Sequence, residues 1–171
     1  MKQTRVLALC GMISALSVTL LLLGAMLSVG MYAAPMLAGL CLLPIRREAG
    51  VRGQLLVWLA VSLLSLMLVS DAEQNLMYIA LFGLYPILFP RLQRLKKGLR
   101  LACKLLFFNL VTVAAEALVL LVLVPETLEW WMGAALLLLG NGVFLLYDRL
   151  LPVFDLLISR YLSGFLKRSG R

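Results

Sequence analysis

Long apolar runs broken by short clusters of charge organise this chain. Residues 6–45 carry no charged side chain, a stretch of roughly 40 residues where one membrane crossing takes about 20. Two spans, 6–23 and 30–45, fit it better than one, with a turn in the cluster of Gly24, Ser28 and Gly30. Arg46, Arg47, Glu48 and Arg52 make a short basic loop. A third run, 54–69, ends in a polar loop holding Asp71 and Glu73. The fourth, 76–89, is short and contains Gly83-Leu84-Tyr85-Pro86. The basic stretch RLQRLKKGLR fills 91–100, a fifth run covers 101–124, an acidic turn covers 125–129 and a sixth run covers 130–147. Beyond it, 150–171 is an amphipathic tail: Leu151, Phe154, Ile158, Tyr161 and Phe165 form a stripe opposite Asp155, Ser159, Arg160 and Ser163. Pro152 is expected to bend this tail away from the sixth span. The pattern predicts an all-α fold in one membrane domain, 1–171. Six transmembrane helices form a compact bundle, and an amphipathic helix closes it at the C-terminus.

Charge orients the bundle. With a cytoplasmic N-terminus and six spans, all sixteen Lys and Arg fall on or near the cytoplasmic side. The two opposite loops hold Asp71, Glu73, Glu126 and Glu129 and no cation. The expectation is a multi-pass protein of the plasma (cytoplasmic) membrane with both termini cytoplasmic. Trp130 and Trp131 stand where an interfacial aromatic belt would be. Dropping one span would put 91–100 on the wrong side.

Composition narrows the classes. The chain is 63% hydrophobic with a net charge of +8 and a mean hydropathy of +1.03. No polar stretch is long enough for a soluble domain. The basic excess is what insertion beside apolar spans requires, so nucleic acid is a poor partner and the lipid bilayer the expected one. The start, MKQTR before an apolar run, resembles a signal peptide, but the apolar character continues to Ile45 and an uncleaved first span is expected. There is no histidine, and the three cysteines lack metal spacing. With no HExxH, no paired cysteines and no serine beside a base, neither an enzyme, a metal site nor a cofactor is expected.

Candidate chemistry lies inside the apolar runs. The fifth span carries Asn109, Thr112 and Glu116 at offsets of three and four, hence on one helix face. An ionisable group at membrane depth is a functional hypothesis by default. At 1.5 Å per residue, Glu116 lies about 13 Å below Pro125, Asn141 about 16 Å below Trp130, Tyr85 about 15 Å below Asn75 and Asn109 about 24 Å down. Tyr85, Glu116 and Asn141 thus reach one level on three spans. Two readings fit. A protonated Glu116 bonded to Asn141 or Tyr85 would glue helices together; alternatively, a pocket among spans four, five and six presents Glu116, Asn141, Tyr85, Thr112 and Asn109 to a small-molecule ligand. In span four, Pro86 leaves the Phe82 carbonyl without its helical partner. That is either a simple kink or a broken helix at a binding site. Ala8, Gly11 and Ala15 give span one a small-residue face, which either packs within the bundle or docks a partner subunit. Arg91 and Arg94, with Leu92, Leu95 and Leu99 opposite, lie on a basic amphipathic helix facing either anionic lipid or a partner. Asp148 and Arg149 are expected to pair with each other or with lipid.

Six short spans, both ends inside and the first-span face around Thr4-Arg5-Val6-Leu7-Ala8-Leu9-Cys10-Gly11-Met12-Ile13-Ser14-Ala15-Leu16 resemble the substrate-binding S component of energy-coupling factor (ECF) transporters. In that family small residues of span one, often Ala-x-x-x-Ala, contact the T component. Gly11 and Ala15 match that pair, with Gly11 departing from Ala but keeping the surface small. The resemblance implies a vitamin or other micronutrient bound from outside and uptake driven by partner ATPase subunits. No Walker motif is present, so ATP use would come from those partners. The competing class is a non-transporting membrane scaffold of the rod-shape-determining type, with similar length and span number.

Overall fold

The computed structural model describes residues 2–27, 32–122 and 130–168, with side chains described except at 2, 3, 116, 119–122, 130, 132, 136 and 159–168. Among these residues the chain is helical apart from short connections, with no strand. The elements are α1 (Lys2–Met26), α2 (Ala33–Leu40), α3 (Leu43–Leu68), α4 (Ala72–Leu76), a π-helical stretch (Met77–Phe82), α5 (Tyr85–Leu92), α6 (Lys97–Val122) and α7 (Trp130–Arg168). Five segments are long and apolar enough to cross a bilayer: Thr4–Met26, Leu43–Leu68, Ala72–Leu92, Lys97–Ala115 and Gly133–Ile158. Apolar runs of this length satisfy their backbone in lipid only as helices. The chain is a multi-pass membrane protein.

The second apolar run does not form one uninterrupted helix. α2 has eight residues, about 12 Å of rise, too little to cross. Cys41 and Leu42 keep right-handed helical torsions, and α3 begins at Leu43. Within α3, Gly50 takes φ 70°, ψ −168°, a region open essentially to glycine. The chain turns back there. The Gln54 amide donates to the Leu42 carbonyl at 3.3 Å, although a straight helix would hold those residues about 18 Å apart. Residues 43–49 and 51–68 are therefore two legs folded on each other.

Two apolar clusters make the core. Ile13, Val18 and Leu21 of α1 meet Ala38, Leu42, Ile45, Val57, Val61 and Tyr78. A second cluster joins Leu40, Leu81, Phe82 and Tyr85 to Phe108 and Ala115 of α6 and to Phe144, Tyr147 and Leu151 of α7. Large apolar side chains on the outer faces, such as Leu7, Leu56, Met67, Leu106 and Leu138, remain exposed, as a bilayer-facing surface requires.

Two predicted helices are differently built. Residues 91–100 are not a separate amphipathic helix. α5 ends at Leu92, a turn follows and α6 starts at Lys97. Pro90 has already removed one helical donor there, and Arg91 and Arg94 sit exposed about that turn. The tail is not a separate helix either. α7 runs through Pro152 as one helix of 39 residues, about 58 Å long against a hydrocarbon core of about 30 Å. Leu151 is buried, and Phe154 and Ile158 pack on the second cluster, so apolar contact continues across the proline. Tyr161, Phe165, Arg160 and the outer acids Glu126 and Glu129 lie outside the residues whose side chains are described.

Candidate functional site

The polar interior is built around the fourth span. Its two α-helical parts, α4 and α5, are separated by the π-helical stretch Met77–Phe82 and by Gly83-Leu84. The Gly83 amide reaches back five residues to the Tyr78 carbonyl at 2.7 Å. Pro86 lacks the donor that would continue an α ladder to Phe82, so the chain restarts at Tyr85. Leu76, Met77, Gly83 and Leu84 all keep right-handed helical torsions, so the hydrogen-bond ladder changes while the chain continues as one span from Ala72 to Leu92. Side chains replace the missing partners: Tyr147 Oη donates to the Phe82 carbonyl at 3.4 Å and Trp58 Nε1 to the Ile79 carbonyl at 3.2 Å. Gly39 makes the first approach possible, because a Cβ there would collide with the Phe82 carbonyl oxygen and lie 2.8 Å from Tyr147 Oη.

Just below the break lies a charged cluster. Lys104 Nζ of α6 donates to both carboxylate oxygens of Asp148 on α7, at 2.6 and 2.7 Å. Tyr85 Oη donates to Asp148 Oδ1. The Lys104 and Asp148 side chains are 4% and 16% exposed. The ammonium also stands 5.1 Å from the centre of the Phe89 ring, a cation–π distance. Phe107 stacks on Tyr85, and Phe144 packs edge-on to it. A charge in such a wall is tolerated only when paired and hydrogen-bonded, and this one is both. Asp148 is therefore paired with Lys104 rather than with Arg149.

A second polar level sits between α6 and α7. Asn109 Nδ2 donates to Asn141 Oδ1 at 3.2 Å and Asn141 Nδ2 to Asn109 Oδ1 at 2.8 Å. Each amide spends its other N–H on its own helix, at Leu105 and Leu137. Thr112 Oγ1, three residues further along α6, is buried without a hydrogen-bond partner among the described residues. Seven residues of α7 separate Asn141 from Asp148, about 10 Å. The single level expected for Tyr85, Glu116 and Asn141 thus divides: Tyr85 bonds to Asp148 below, and Asn141 bonds to Asn109 above. Asn109 was expected deeper than Asn141, and their direct pairing shows that counts taken from different loops do not share an origin. Position 116 lies in α6, but its side chain is outside the described residues, so the expected contact of Glu116 with Asn141 or Tyr85 lies there too.

The remaining candidates are surface features. Ala8, Gly11 and Ala15 are all exposed, and a Cβ added at Gly11 would meet nothing within 4 Å. The bundle packs against the other side of α1, where Ile13, Ser17 and Leu21 are buried. The loop acids are not merely solvated. Asp71 caps α4 by accepting from the Gln74 amide at 3.1 Å, and Glu73 accepts from Tyr32 Oη at 2.7 Å. At the basic end, Arg46 reaches the Ile87 carbonyl at 3.2 Å and Arg47 pairs with Asp155 at 2.7 Å. The three cysteines are free thiols. No group of metal-binding side chains occurs among the described residues.

Sequence reasoning missed the Lys104–Asp148 pair because both residues were assigned to the inner rim. The available signal was their flanks: Lys104 lies between Cys103 and Leu105-Leu106-Phe107-Phe108, and Asp148 follows Phe144-Leu145-Leu146-Tyr147. Comparison of the chain with protein-family models, with curated proteins and with solved structures found no match.

Proposed function

We propose that this chain is the membrane-embedded, small-molecule-binding subunit of an ECF-type uptake transporter, energised by T-component and ATPase partners. The observation that carries the reading is the unused face of α1. Ala8, Gly11 and Ala15 stand exposed while the opposite side of the same helix is buried in the bundle. Small residues that admit close approach of another helix, and that their own chain leaves uncovered, suit a partner helix.

The topology proposed with it has six crossings and both termini in the cytoplasm of a bacterial inner membrane. The reversal at Gly50 supports it, since residues 33–49 then form one leg, interrupted at Cys41-Leu42, and 51–68 the next. Arg46, Arg47 and Arg52 then share a side with Arg91–Arg100, as positive-inside bias requires. The ligand level is placed at Asn109, Thr112, Glu116 and Asn141, with Tyr85 belonging to the support below.

Copurification tests the assignment. The wild-type chain should bring down a T component and ATPase subunits, and a Gly11→Leu/Ala15→Leu variant should fold yet bring down neither. Recovery of the same partners by that variant counts against the reading. The scaffold alternative draws on a different observation: Tyr85, Asn109 and Asn141 all spend their hydrogen bonds within the chain. A scaffold should be indifferent to Glu116→Gln, whereas a ligand-binding subunit should lose affinity.

A further inference from the structure

The turn between α5 and α6 leaves its cations unpaired. No carboxylate lies in the chain between Glu73 and Glu116, whereas 91–100 holds Arg91, Arg94, Lys96, Lys97 and Arg100. Several neighbouring cations are engaged: Arg46 with the Ile87 carbonyl, Arg47 with Asp155 and Lys104 with Asp148. Arg100 donates to Gln93 Oε1 at 2.6 Å. The side chains of Arg91, Arg94, Lys96 and Lys97 are exposed, with neither an ion-pair nor a hydrogen-bond partner among the described residues.

The turn is fixed in shape and in depth. The amides of Gln93, Arg94 and Leu95 donate back to Phe89, Arg91 and Leu92, the Arg100–Gln93 bond ties α6 to the end of α5, and Leu92 packs on the second core cluster. Ala72–Leu92 and Lys97–Ala115 both cross the bilayer, so the four residues between them stand at its surface, where phosphates lie. The Arg100 amide donates to the Lys96 carbonyl at 2.8 Å, which puts Lys96 in the helical register of α6. Leu99, Leu106 and Leu110 continue that face, each more than half exposed. Leu110 lies about 21 Å from Lys96 along the helix. Cations at the membrane surface thus head an apolar strip that runs into the hydrocarbon. A ligand that meets both parts carries an anionic head and an apolar chain, whereas a soluble acidic protein would meet the head alone.

We propose that Arg94, Lys96 and Lys97 bind the phosphate of an anionic glycerophospholipid whose acyl chain lies along Leu99, Leu106 and Leu110. Arg91 adds to the attracting field. The inference needs only the two crossings that flank the turn and stands apart from the transporter reading.

The full chain is equilibrated in detergent micelles with equal amounts of dioleoyl phosphatidylglycerol and dioleoyl phosphatidylethanolamine, and native mass spectrometry counts the lipids retained. The wild type should keep the anionic lipid about fivefold over the zwitterionic one, and an increase in ammonium acetate from about 0.05 to about 0.5 M should reduce that preference at least twofold. Arg94→Gln/Lys96→Gln/Lys97→Gln should abolish the preference. Lys2→Gln/Arg5→Gln/Arg52→Gln removes the same charge from other segments and should keep it. Excess glycerol phosphate, the head without the chain, should not displace the lipid. Equal retention of the two lipids by the wild type, or a preference indifferent to salt, overturns the proposal without recourse to any variant. Equal loss in the two triple variants would mean a diffuse field in place of a site, and displacement by glycerol phosphate would remove the acyl strip; either result overturns it. So does a wild type without lipid preference whose first triple variant loses copurified protein partners, which would give the turn to a protein.

Discussion

Asp148 is the residue on which the interior depends most. It accepts from Lys104 twice and from Tyr85 once, and so ties α5, α6 and α7 at one point. Removing one partner of a buried pair strands the other charge and costs about 3–5 kcal/mol. Asp148→Ala should lower unfolding stability in detergent by about that amount. Lys104→Met with Asp148→Leu should recover most of it, because no orphaned charge remains. A thermal melt in which the double variant falls below Asp148→Ala would remove the charge explanation. At this scale the sequence was only partly readable. Asn109, Asn141 and Tyr85 stand out in the sequence as polar groups inside apolar runs, but their partners depend on helix register and tilt. Neither is written in spacing along one helix. Lys104 shows the converse difficulty: a cation near a run's end reads as a rim residue until the neighbouring helix supplies its carboxylate.

The elements follow the apolar pattern closely, and their interruptions follow glycine and proline. The long runs were recognisable because length and apolarity alone decide a membrane helix. The breaks were legible in kind at Gly83-Leu84-Tyr85-Pro86, though the π geometry also depends on Trp58 and Tyr147 accepting the role of surrogate donors. Gly50 was not singled out, since one glycine inside a basic loop carries no special mark in sequence. Its φ of 70° gives a direct test. Gly50→Ala forces a side chain into a region that costs about 1–3 kcal/mol. The variant should melt correspondingly lower, whereas Gly11→Ala, with open space around it, should stay within about 0.5 kcal/mol of wild type. Equal melting of the two variants would mean that the turn tolerates a side chain.

At the scale of the whole molecule, one question is which ends share a side of the membrane. If Gly50 is a reversal between crossings, residues near it face the same compartment as the α5–α6 turn, and Ser70 faces the other. Single cysteines at Glu48, Ser70 and Lys96, in a background with the native cysteines replaced, distinguish the cases. A membrane-impermeant maleimide added to intact cells should label the Ser70 position alone, and permeabilisation should expose the other two. Labelling of Glu48 and Ser70 together from outside would rule out six crossings with the termini inside. The asymmetry of Lys and Arg is the sequence feature from which the six-crossing topology is proposed. The continuity of α7 through Pro152 was not legible in the sequence, because it rests on the contacts of Leu151, Phe154 and Ile158 with other helices.

The π-helical stretch Met77–Phe82 also has a meaning in the length of the chain. A π bulge accommodates one residue more than the α-helix it interrupts. Deleting a single residue between Met77 and Phe82 would let the α ladder close over that segment and leave the residues after it facing as they do now. The same deletion between Ala72 and Leu76, outside the bulge, would turn everything after it by about 100° relative to the start of the span, swinging Tyr85 off Asp148 and the Phe82 carbonyl off Tyr147. Both deletions keep hydrophobicity, charge and predicted span length nearly unchanged. The bulge is thus a phase setting: the fourth span can lose one residue within it and keep Tyr85 aimed, but not one residue before it.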